Sequence, residues 1–523
     1  SRQPELKAMA VRVEALVAAV PSGATDDATG RTPRGGPRSG PARGGRRRER
    51  LVVVGGGMAS IAVVEAAFAH RGSSHWETTI LSGEADAPYD RVRISHLVSP
   101  EPRDDVALRP PEWYAAHDVD LRLSTWVEAL DTVAQEVVLT SGERLPYDRA
   151  VICTGSQPST PPILGMDLPG VVPFRTRADA ATLNRMVRRG ALATVIGGGL
   201  LGLEAAAGLA EHGASVTIVH RGDRLMERQL DRGAARLLER RIRELGIQLL
   251  FEQETERIVG GAAVTGVRFA DGDELASDLV VVATGIRPEI RVAKRSGIAC
   301  DHAILVDDEL RTSAPNVWAV GECAQHRGVV YGLWPPIAAQ ARTAGATIAG
   351  VPSGYQGSPL ATTLKVVGIE LFACGTPWSN TDDDDVDEVI SVDTRRGNYR
   401  RLALRRGRLD GAVLMGDLSL AAELTELTAG GPAGVGGATV DDELLDAVAG
   451  GDAAPRPVPD AQLVCSCNQV SAGEIRGAVA GGCASLADVR EATGASGGCG
   501  GCATRVEALL AVHHTTSVGA AAD

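Results

Sequence analysis

Short runs of aliphatic and β-branched residues alternate with longer stretches of helical periodicity from Leu51 to about Gly350. This alternation is typical of βαβ units and predicts a parallel sheet. From residue 356 to residue 427 the pattern changes, because strand-like runs follow one another with turns between them. These runs are Leu364–Leu371, Glu388–Val392, Arg401–Leu404 and Ala412–Met415. They predict a small α+β domain after the parallel sheet.

Two segments lack a periodic apolar pattern and are predicted to be linkers. The first, residues 21–50, is rich in Gly, Pro and Ser and holds eight arginines between Arg31 and Arg50. Such a composition cannot bury a core, so a flexible, self-repelling linker is expected, with a nucleic-acid-binding arm as the alternative. The second, residues 428–461, is rich in Gly, Ala and Pro. Residues 1–20 have a modest amphipathic pattern.

Composition narrows the class of protein. The 523 residues include 53 Lys and Arg against 66 Asp and Glu, which gives a formal net charge of −13. An acidic chain with only 3% aromatic residues argues against nucleic acid or an anionic membrane as the main partner. We expect no secretory signal, because no basic segment followed by an apolar one is found at the start. The apolar stretch Ala191–Ala210 contains adjacent glycines and Glu204, which favours a strand, a turn and a helix over a membrane span.

The first predicted strand runs directly into a G-x-G-x-x-S motif. Gly55 permits a tight turn, Gly57 lets the backbone approach a pyrophosphate, and Ser60 stands where a small packing residue is needed. The helix that follows offers unpaired N–H groups to the phosphates. The second predicted strand, Thr78–Ser82, is followed by Glu84, the expected acceptor for ribose hydroxyls. The motif therefore predicts a dinucleotide site.

A second fingerprint of the same kind begins about 140 residues later. Its residues are Gly197, Gly199, Gly202 and Glu204. The second strand of this unit is predicted at Ser215–Val219, and His220 and Arg221 follow where an NAD site normally has a carboxylate. An arginine without an acid favours the 2′-phosphate of NADPH. The alternative is that Arg221 faces solvent and His220 hydrogen-bonds either ribose.

Five of the nine cysteines lie in the last 60 residues, which predicts a local metal site in a reducing compartment. Cys465 and Cys467 form a C-x-C pair, and after 31 intervening residues Cys499 and Cys502 form a C-x-x-C pair. Four thiolates suit a [2Fe–2S] cluster or zinc, and the one-residue gap of the first pair disfavours zinc. Glycines beside the second pair free the backbone to point N–H groups at sulfur. Cys483 falls outside the pattern.

The two fingerprints and the motifs around them resemble the flavoprotein family with two dinucleotide-binding domains, in which an NAD(P) domain is inserted into an FAD domain. Positions matching the two A-T-G crossover motifs are Cys153, Thr154, Gly155, Ala283, Thr284 and Gly285. The resemblance implies that Gly321 and Glu322 hold the ribityl chain of FAD, and that Pro336 lies at a helix start facing the flavin. The disulfide-reductase branch of this family has an early Cys pair. No Cys precedes Cys153 here, so dithiol–disulfide chemistry is not expected.

A narrower resemblance is to the NAD(P)H-oxidising part of assimilatory nitrite reductase large subunits and to the electron-transfer subunits of assimilatory nitrate reductases. The matching segments are 89–95, 225–231, 326–332 and 364–372. This resemblance implies that Arg91 and Ser95 lie near the FAD and that Lys365 is a candidate for the flavin edge. The cysteine spacing resembles that of the bacterioferritin-associated ferredoxin-like [2Fe–2S] domain.

The predicted fold class is α/β, with two Rossmann-like dinucleotide-binding domains, one inserted in the other, a small α+β domain and a small helical [2Fe–2S] domain. The predicted boundaries are 1–50 for the tail of a partner domain and a linker, 51–168 and 286–355 for the FAD-binding domain, 169–285 for the NAD(P)-binding domain, 356–427 for the α+β domain, 428–461 for a linker, and 462–523 for the [2Fe–2S] domain.

This combination predicts an electron-transfer flavoprotein. A nicotinamide gives up two electrons together, a cluster takes one, and flavin bridges the difference, so no side chain needs to act as a nucleophile or general acid. We therefore expect a cytoplasmic oxidoreductase that passes electrons from NADPH or NADH through FAD and a [2Fe–2S] cluster to a molybdopterin nitrate reductase centre. Residues 1–14 resemble the C-terminal tail of molybdopterin-dependent nitrate reductases, which implies that this chain is the C-terminal part of a fused nitrate reductase. The alternatives are an ordinary N-terminal extension and a separate molybdopterin subunit.

Two other functions stay open on the sequence alone. One is an electron donor to a siroheme nitrite reductase, and the other is a redox-sensing or cluster-binding protein without enzymatic activity. The chain ends at Asp523 without cysteines for further clusters, so molybdopterin and [4Fe–4S] are expected only in the partner portion and nitrite reduction by this chain alone is not expected. The oligomeric state is not predicted.

Overall fold

The computed structural model describes residues 47–101, 106–359, 361–366, 368–375, 385–429, 437–449, 458–465, 467–498 and 500–519. Up to residue 359, the strands are β1 (Glu49–Val54), β2 (Trp76–Leu81), β3 (Val119–Arg122), β4 (Val127–Asp131), β5 (Glu136–Leu139), β6 (Arg144–Pro146), β7 (Arg149–Ile152), β8 (Ser156–Pro158), β9 (Val171–Pro173), β10 (Leu192–Ile196), β11 (Ser215–Val219), β12 (Gln248–Leu250), β13 (Thr255–Gly260), β14 (Val264–Phe269), β15 (Glu274–Ala276), β16 (Leu279–Val282), β17 (Ile286–Pro288), β18 (Ile304–Val306), β19 (Val317–Ala319), β20 (Ala324–His326) and β21 (Val329–Val330). The helices of this part are α1 (Met58–Arg71), α2 (Pro111–Ala116), α3 (Arg177–Met186), α4 (Leu200–Glu211), α5 (Arg232–Glu244), α6 (Arg291–Arg295) and α7 (Trp334–Ile348), with 3₁₀ turns at Ser73–His75 and Arg91–Leu97.

The first large sheet is five-stranded and parallel, in the order β19-β7-β1-β2-β3. Its central strand β1 is apolar from Leu51 to Val54, and these residues are buried, as a strand covered on both faces requires. Helices α1 and α7 pack closely together, because a Cβ atom at Gly345 would lie only 2.4 Å from the Cβ of Ala66.

The second large sheet is also five-stranded and parallel, in the order β12-β11-β10-β16-β9. The chain enters this sheet after β7 and leaves it before β19, which returns to pair with β7 in the first sheet. One Rossmann-like unit is therefore inserted in the other, and the predicted α/β fold class is confirmed. Small antiparallel sheets, β4-β5-β6 and β13-β14-β15, extend the two units.

A five-stranded antiparallel sheet follows, in the order β22-β23-β26-β25-β24. Its elements are β22 (Ala361–Val366), β23 (Ile369–Gly375), β24 (Val386–Asp393), β25 (Asn398–Arg405), β26 (Arg408–Met415), α8 (Ala421–Ala429) and α9 (Asp442–Ala449). Leu424 of α8 and Leu444 of α9 are buried in one cluster with Leu402 and Leu414 of the sheet. The predicted α+β arrangement is thus confirmed for this part.

One predicted strand of this sheet is wrong. The run Leu364–Leu371 was expected to be a single strand, but it contains the turn of the β22–β23 hairpin, whose two strands pair antiparallel. Gly368 lies in this turn with φ of +81°, a left-handed conformation that favours glycine. Apolar residues on both sides of the turn made the two strands look like one continuous run. The other three runs lie within β24, β25 and β26.

The cysteine-rich part is mostly helical, as predicted. Its elements are β27 (Leu463–Cys465), β28 (Val470–Ser471), α10 (Ala472–Ala480), α11 (Leu486–Thr493) and α12 (Ala503–Gly519). Ser471 and Ser485 begin α10 and α11, and each forms a capping box with an acidic residue three positions later. These caps fix the entry angles of two short helices around a core that includes Ile475, Val489 and Val506.

Among the helices within the described ranges, none is both long enough and apolar enough to cross a membrane. Of the first predicted linker, residues 21–46 lie outside the described residues. The second predicted linker, residues 428–461, contains α9, whose Leu444 and Val448 are buried against the antiparallel sheet, so this part of it is packed structure and not a flexible connection.

Candidate functional site

One long cavity, of about 2230 Å³, runs past both glycine motifs and reaches the cysteines of the helical part. Residues that line it include Gly55, Gly57, Gly197, Gly199, Cys465, Cys467 and Cys502. The wall is therefore shared by the two parallel sheets, by α7 and by the cysteine-bearing loop. Three groups of residues predicted separately from the sequence thus meet in a single space.

The first glycine motif forms the turn between β1 and α1. Gly55 has a φ of +121°, and a Cβ atom there would lie 2.2 Å from the carbonyl oxygen of Cys153. At Gly57, which caps α1, an added Cβ would meet no atom within 4 Å, so this position opens into the cavity. The Ser60 side chain is buried and donates to the Gly57 carbonyl at 2.5 Å. A tight turn and an open helix start together fit a pyrophosphate.

Glu84 and Arg91, which the sequence indicated separately, form an ion pair at the cavity wall. The Tyr89 hydroxyl donates to the second oxygen of the Glu84 carboxylate at 2.8 Å, and the Arg91 guanidinium lies 5.0 Å from the centre of the Tyr89 ring. Burial raises the pKa of the Tyr89 hydroxyl, so it stays protonated as a donor. The sequence analysis missed Tyr89, although it belongs to the segment 89–95.

The crossover and late motifs meet around Glu322. Its carboxylate accepts a hydrogen bond from the Ser156 hydroxyl at 2.6 Å and forms an ion pair with Arg175. The N–H of Gly321 donates to the side-chain carbonyl of the buried Gln340 at 3.0 Å. The Thr154 hydroxyl donates to the Glu289 carbonyl at 2.7 Å. All but the buried Gln340 line the cavity. Gln340 ends the segment 334–340 that resembles a helix start facing the flavin, whereas Arg175 had no signal in the sequence beyond its position between motifs.

Helix α7 forms the boundary between the flavoprotein-like part and the cysteine-bearing part. Trp334 and Pro336 of its first turn line the cavity. Within the described residues, the buried indole N–H of Trp334 has no hydrogen-bond partner. A Cβ atom at Gly498 would lie 2.8 Å from this nitrogen and 3.1 Å from the Cβ of Cys467. Arg342, which lies further along α7, donates a hydrogen bond to the Cys467 carbonyl at 2.7 Å.

The second glycine motif repeats the geometry of the first. Gly197 has a φ of +122°, and an added Cβ would lie 2.3 Å from the Ala283 carbonyl oxygen. At Gly202 an added Cβ would lie 2.2 Å from the Gly197 carbonyl, which explains why α4 needs a glycine there. A Cβ atom added at Gly199 or at Gly285 would meet no atom within 4 Å, and both residues line the cavity.

His220 follows β11, as predicted, and lies under the second glycine turn. The N–H of Gly198 donates to Nδ1 of His220 at 3.1 Å, and Nε2 of His220 lies 3.0 Å from the Glu227 carboxylate. Arg221 is exposed and lines the same region of the cavity. Glu227 was not singled out by the sequence analysis, because it lies in the loop after the strand rather than at the strand end.

Among the predicted residues, Ser60 and Gly202 pack within their glycine turns and Ser95 packs against α4, so none of these three lines the cavity. Ser95 is buried and hydrogen-bonds to Glu204 of α4, and it is not among the residues that line the cavity. Lys365 lies in β22, but its side chain is outside the described part of the structure. Glu204 itself lines the cavity, and burial raises the pKa of its carboxyl to about 7, an effect that the Ser95 hydrogen bond partly opposes.

Glu204→Gln is expected to stabilise the protein increasingly as the pH rises. The folded-state pKa of Glu204 is about 7, above its ordinary value of 4.5, so the folded protein binds more protons between these values. The stability contributed by protonated Glu204 is complete below pH 4.5 and is lost as the pH rises through 7. Thermal unfolding at several pH values should show that the unfolding free energy of the variant exceeds that of wild type by an amount that grows to about 1–3 kcal/mol above neutral pH. A constant difference across this range would contradict the buried, protonated carboxyl.

Three of the four predicted ligand cysteines lie together. Cys465, Cys467 and Cys502 are buried, and the thiols of Cys467 and Cys502 hydrogen-bond to Cys465, which lowers the pKa of the Cys465 thiol. The N–H groups of Asn468 and Ser496 also point at this sulfur. Cys499 lies outside the described residues, and inside them no three His, Cys, Asp or Glu side chains already surround a single metal position. Each iron of a binuclear cluster takes only two cysteines, so the neighbouring thiols and backbone donors fit such a cluster.

Comparison with known proteins places these features in a family. The profile of the pyridine nucleotide-disulphide oxidoreductases matches residues 49–345, more than half of the chain. This chain belongs to the pyridine nucleotide-disulphide oxidoreductase family. Two further profiles match: the rubredoxin NAD+ reductase C-terminal domain over residues 361–429, and the BFD-like [2Fe-2S] binding domain over residues 463–512.

Among curated members and relatives of this family, the chain is similar to the nitrite reductase [NAD(P)H] of Bacillus subtilis, with 37% identity over 86% of this chain and 56% of that protein. It is also similar to the assimilatory nitrate reductase electron transfer subunit of the same organism, with 34% identity over 89% of this chain and 60% of that protein. The chain thus spans little more than half the length of the curated relatives it matches. The predicted resemblance is confirmed.

A solved structure of similar fold is the NADH:rubredoxin oxidoreductase of Clostridium acetobutylicum, with a TM-score of 0.61 and 25% identity. The match covers 74% of this chain and 96% of that one. Membership of the family and the BFD-like domain together identify an NAD(P)H-dependent flavoprotein oxidoreductase with FAD and a [2Fe–2S] cluster as cofactors.

Proposed function

We propose that this chain takes electrons from NAD(P)H at FAD and passes them singly through the [2Fe–2S] cluster to a molybdopterin nitrate reductase centre in nitrate assimilation. The observation that supports this most is the single cavity that both glycine motifs and three ligand cysteines line. A donor site, a flavin site and a cluster on one wall need no large movement between electron transfers. When bound, FAD would supply the chemistry that links one hydride, which carries two electrons, to the single electrons that a cluster takes.

In this proposal, the residues of the chain hold and orient the cofactors. Gly55, Gly57, Ser60, Glu84 and Arg91 would hold the adenosine and pyrophosphate of FAD. The FAD ribityl and flavin region would contact Thr154, Gly155, Gly321, Glu322, Pro336 and Lys365. The nicotinamide coenzyme would lie along Gly197, Gly199, Gly202, Glu204, His220, Arg221 and Gly285. The fifteen-residue helix α7 would direct its positive N-terminal end toward the flavin edge.

The proposed cluster ligands are Cys465, Cys467, Cys499 and Cys502. The Arg342 hydrogen bond to the Cys467 carbonyl ties this ligand loop to α7, which supports a fixed separation between flavin and cluster. None of the eight described cysteines forms a disulfide. Because thiolate ligands must stay reduced, we also propose a cytoplasmic location.

The proposed partner follows from two similarities. The relative named an assimilatory nitrate reductase electron transfer subunit covers 89% of this chain. Residues 1–14, which lie outside the described residues, resemble the end of molybdopterin-dependent nitrate reductases. Both favour a molybdopterin nitrate reductase domain or subunit as the electron acceptor.

A siroheme nitrite reductase is the second candidate acceptor. It is favoured by the 37% identity to the nitrite reductase [NAD(P)H] of Bacillus subtilis. In that case the chain would supply electrons for nitrite rather than nitrate reduction, with the same route from NAD(P)H to the cluster.

The proposal is tested in two steps with the full chain loaded with FAD and iron. First, NADH or NADPH is expected to drive anaerobic reduction of a one-electron dye, and no turnover at full FAD and iron occupancy would contradict electron transfer. Second, the chain is combined with a molybdopterin nitrate reductase or with a siroheme nitrite reductase. Nitrite formed from nitrate supports the first acceptor, whereas ammonium formed from nitrite without any nitrate reduction supports the second.

A further inference from the structure

The loop after β11 contains a carboxylate that the strand end itself lacks. His220 directly follows β11, and Glu227 lies seven residues further on beside the same glycine turn. Both line the long cavity close to Gly197 and Gly199. This carboxylate lies where the adenosine end of a nicotinamide coenzyme would bind, so it bears on the choice between NADH and NADPH.

The hydrogen bonds fix the state of His220. A backbone N–H can only donate, so Nδ1 of His220, which receives the N–H of Gly198 at 3.1 Å, must be the acceptor. The ring proton is therefore on Nε2, which donates to Oε2 of Glu227 at 3.0 Å. His220 thus binds the glycine turn through Nδ1 and holds the Glu227 carboxylate through Nε2.

Gly222 leaves room for this pair. A Cβ atom at Gly222 would lie 2.0 Å from Oε2 of Glu227 and 2.8 Å from Nε2 of His220. The carboxylate can approach the histidine only because this residue has no side chain. Oε1 of Glu227 has no hydrogen-bond partner among the described residues, and the side chain is 36% exposed at the cavity wall.

We propose that Glu227, held by His220 and admitted by Gly222, accepts the 2′-hydroxyl of the adenosine ribose and makes NADH the preferred coenzyme over NADPH. A carboxylate that is fixed in place accepts a hydrogen bond from a ribose hydroxyl, whereas it repels a 2′-phosphate. This inference rests on the proposed function only in taking the second glycine motif as the coenzyme site. It reverses the NADPH preference that Arg221 suggested in the sequence.

Arg221 and Arg228 are the cations that could oppose this assignment. Both line the cavity and both are exposed, so water and salt screen their charge. Neither has a hydrogen bond that fixes its guanidinium over the site in the described part of the chain. The anchored anion therefore determines the preference at this wall.

The test compares binding of ADP-ribose with binding of its 2′-phosphorylated form to the full chain by isothermal titration calorimetry. Wild-type protein is expected to bind ADP-ribose at least tenfold more tightly than the phosphorylated form. Glu227→Gln is expected to weaken ADP-ribose binding roughly tenfold and to narrow or reverse the difference. Gly222→Ala keeps every charge but displaces the carboxylate, and the same narrowing is expected. Glu244→Gln, an exposed site in the same unit, is the matched control and should change neither constant.

Equal or tighter binding of the 2′-phosphorylated ligand by wild-type protein would overturn the proposal, as would a Glu227→Gln variant with an unchanged ratio. Neither ligand is redox-active, so the result does not depend on FAD reduction, on the cluster or on an electron acceptor. The Glu227→Gln variant could lose the preference for ADP-ribose over its 2′-phosphorylated form while the dye, nitrate and nitrite assays of the wild-type chain all fail. That outcome would support this inference and refute the proposed function. The reverse combination would refute this inference alone.

Discussion

Replacing Cys467 with serine is expected to leave reduction of the flavin by NADH unchanged and to slow electron delivery to a one-electron acceptor roughly 100-fold or more. Cys467 is 3% exposed, its thiol contacts Cys465, and its carbonyl accepts the hydrogen bond from Arg342. Serine offers a poorer ligand at the same backbone position, so the cluster should be lost or unstable while α7 and the glycine motifs stay in place. Anaerobic stopped-flow absorbance separates flavin reduction from acceptor reduction.

Cys483→Ser is the matched control for this variant. Cys483 is in the same helical part and is half-buried, but it lies outside the predicted set of four ligands. Iron and sulfide contents, together with the electron paramagnetic resonance signal of the reduced cluster, should match wild type for Cys483→Ser and fall for Cys467→Ser. If both steps slowed equally in Cys467→Ser, the cluster would have a structural role. A normal cluster in this variant would refute the ligand assignment.

The parallel sheets could be predicted from the sequence because their signals are local. Buried strand β1 reads as an unbroken apolar run, and β11 was placed at Ser215–Val219 with the bounds that the structure has. The capping residues Ser471 and Ser485 were also predictable, since a capping box depends on residues three positions apart. The hairpin within Leu364–Leu371 was not, because its single glycine interrupts two runs of similar composition.

The contacts that join the parts of the site depend on residues far apart in the sequence. Arg342 and Cys467 are separated by 125 positions, and no local pattern links a helix arginine to a ligand-loop carbonyl. Glu227 was missed for a related reason. A carboxylate was expected at the end of β11, but His220 stands there and hydrogen-bonds to the carboxylate of Glu227 in the following loop. Ser95 shows the opposite case, in which a motif position turned out to contact α4 instead of the cavity.

These contacts give α7 two roles at once. Its first turn lines the same cavity as the glycine motif that follows β1, and Arg342 donates a hydrogen bond to the carbonyl of Cys467, a predicted cluster ligand. Close packing of α7 on α1 through Gly345 holds this helix against the first Rossmann-like unit. In the proposed electron route, α7 would therefore set the separation between the flavin site and the cluster.

Gly57→Ala is expected to give a folded protein that has lost most of its affinity for FAD. Gly57 has a φ of −104°, which alanine adopts readily, and an added Cβ would meet no protein atom within 4 Å. The unfolding free energy should therefore change by less than about 1 kcal/mol. The methyl group would instead project into the space where a pyrophosphate approaches the start of α1, so FAD affinity should fall at least roughly tenfold. Fluorescence titration of the apoprotein with FAD measures this loss.

Gly55→Ala, two residues earlier, should fail in a different way and so shows which glycine serves the fold. Its φ of +121° disfavours alanine, and the added Cβ would lie 2.2 Å from a backbone carbonyl oxygen that cannot move independently of β7. We expect a loss of about 3 kcal/mol or more in unfolding free energy. Gly142→Ala, with φ of +88° and open space around it, measures the cost of the left-handed backbone alone. If Gly55→Ala were no less stable than Gly142→Ala, the close approach of the β1 turn to Cys153 would not contribute to the fold. If Gly57→Ala bound FAD normally, the pyrophosphate would lie elsewhere in the cavity.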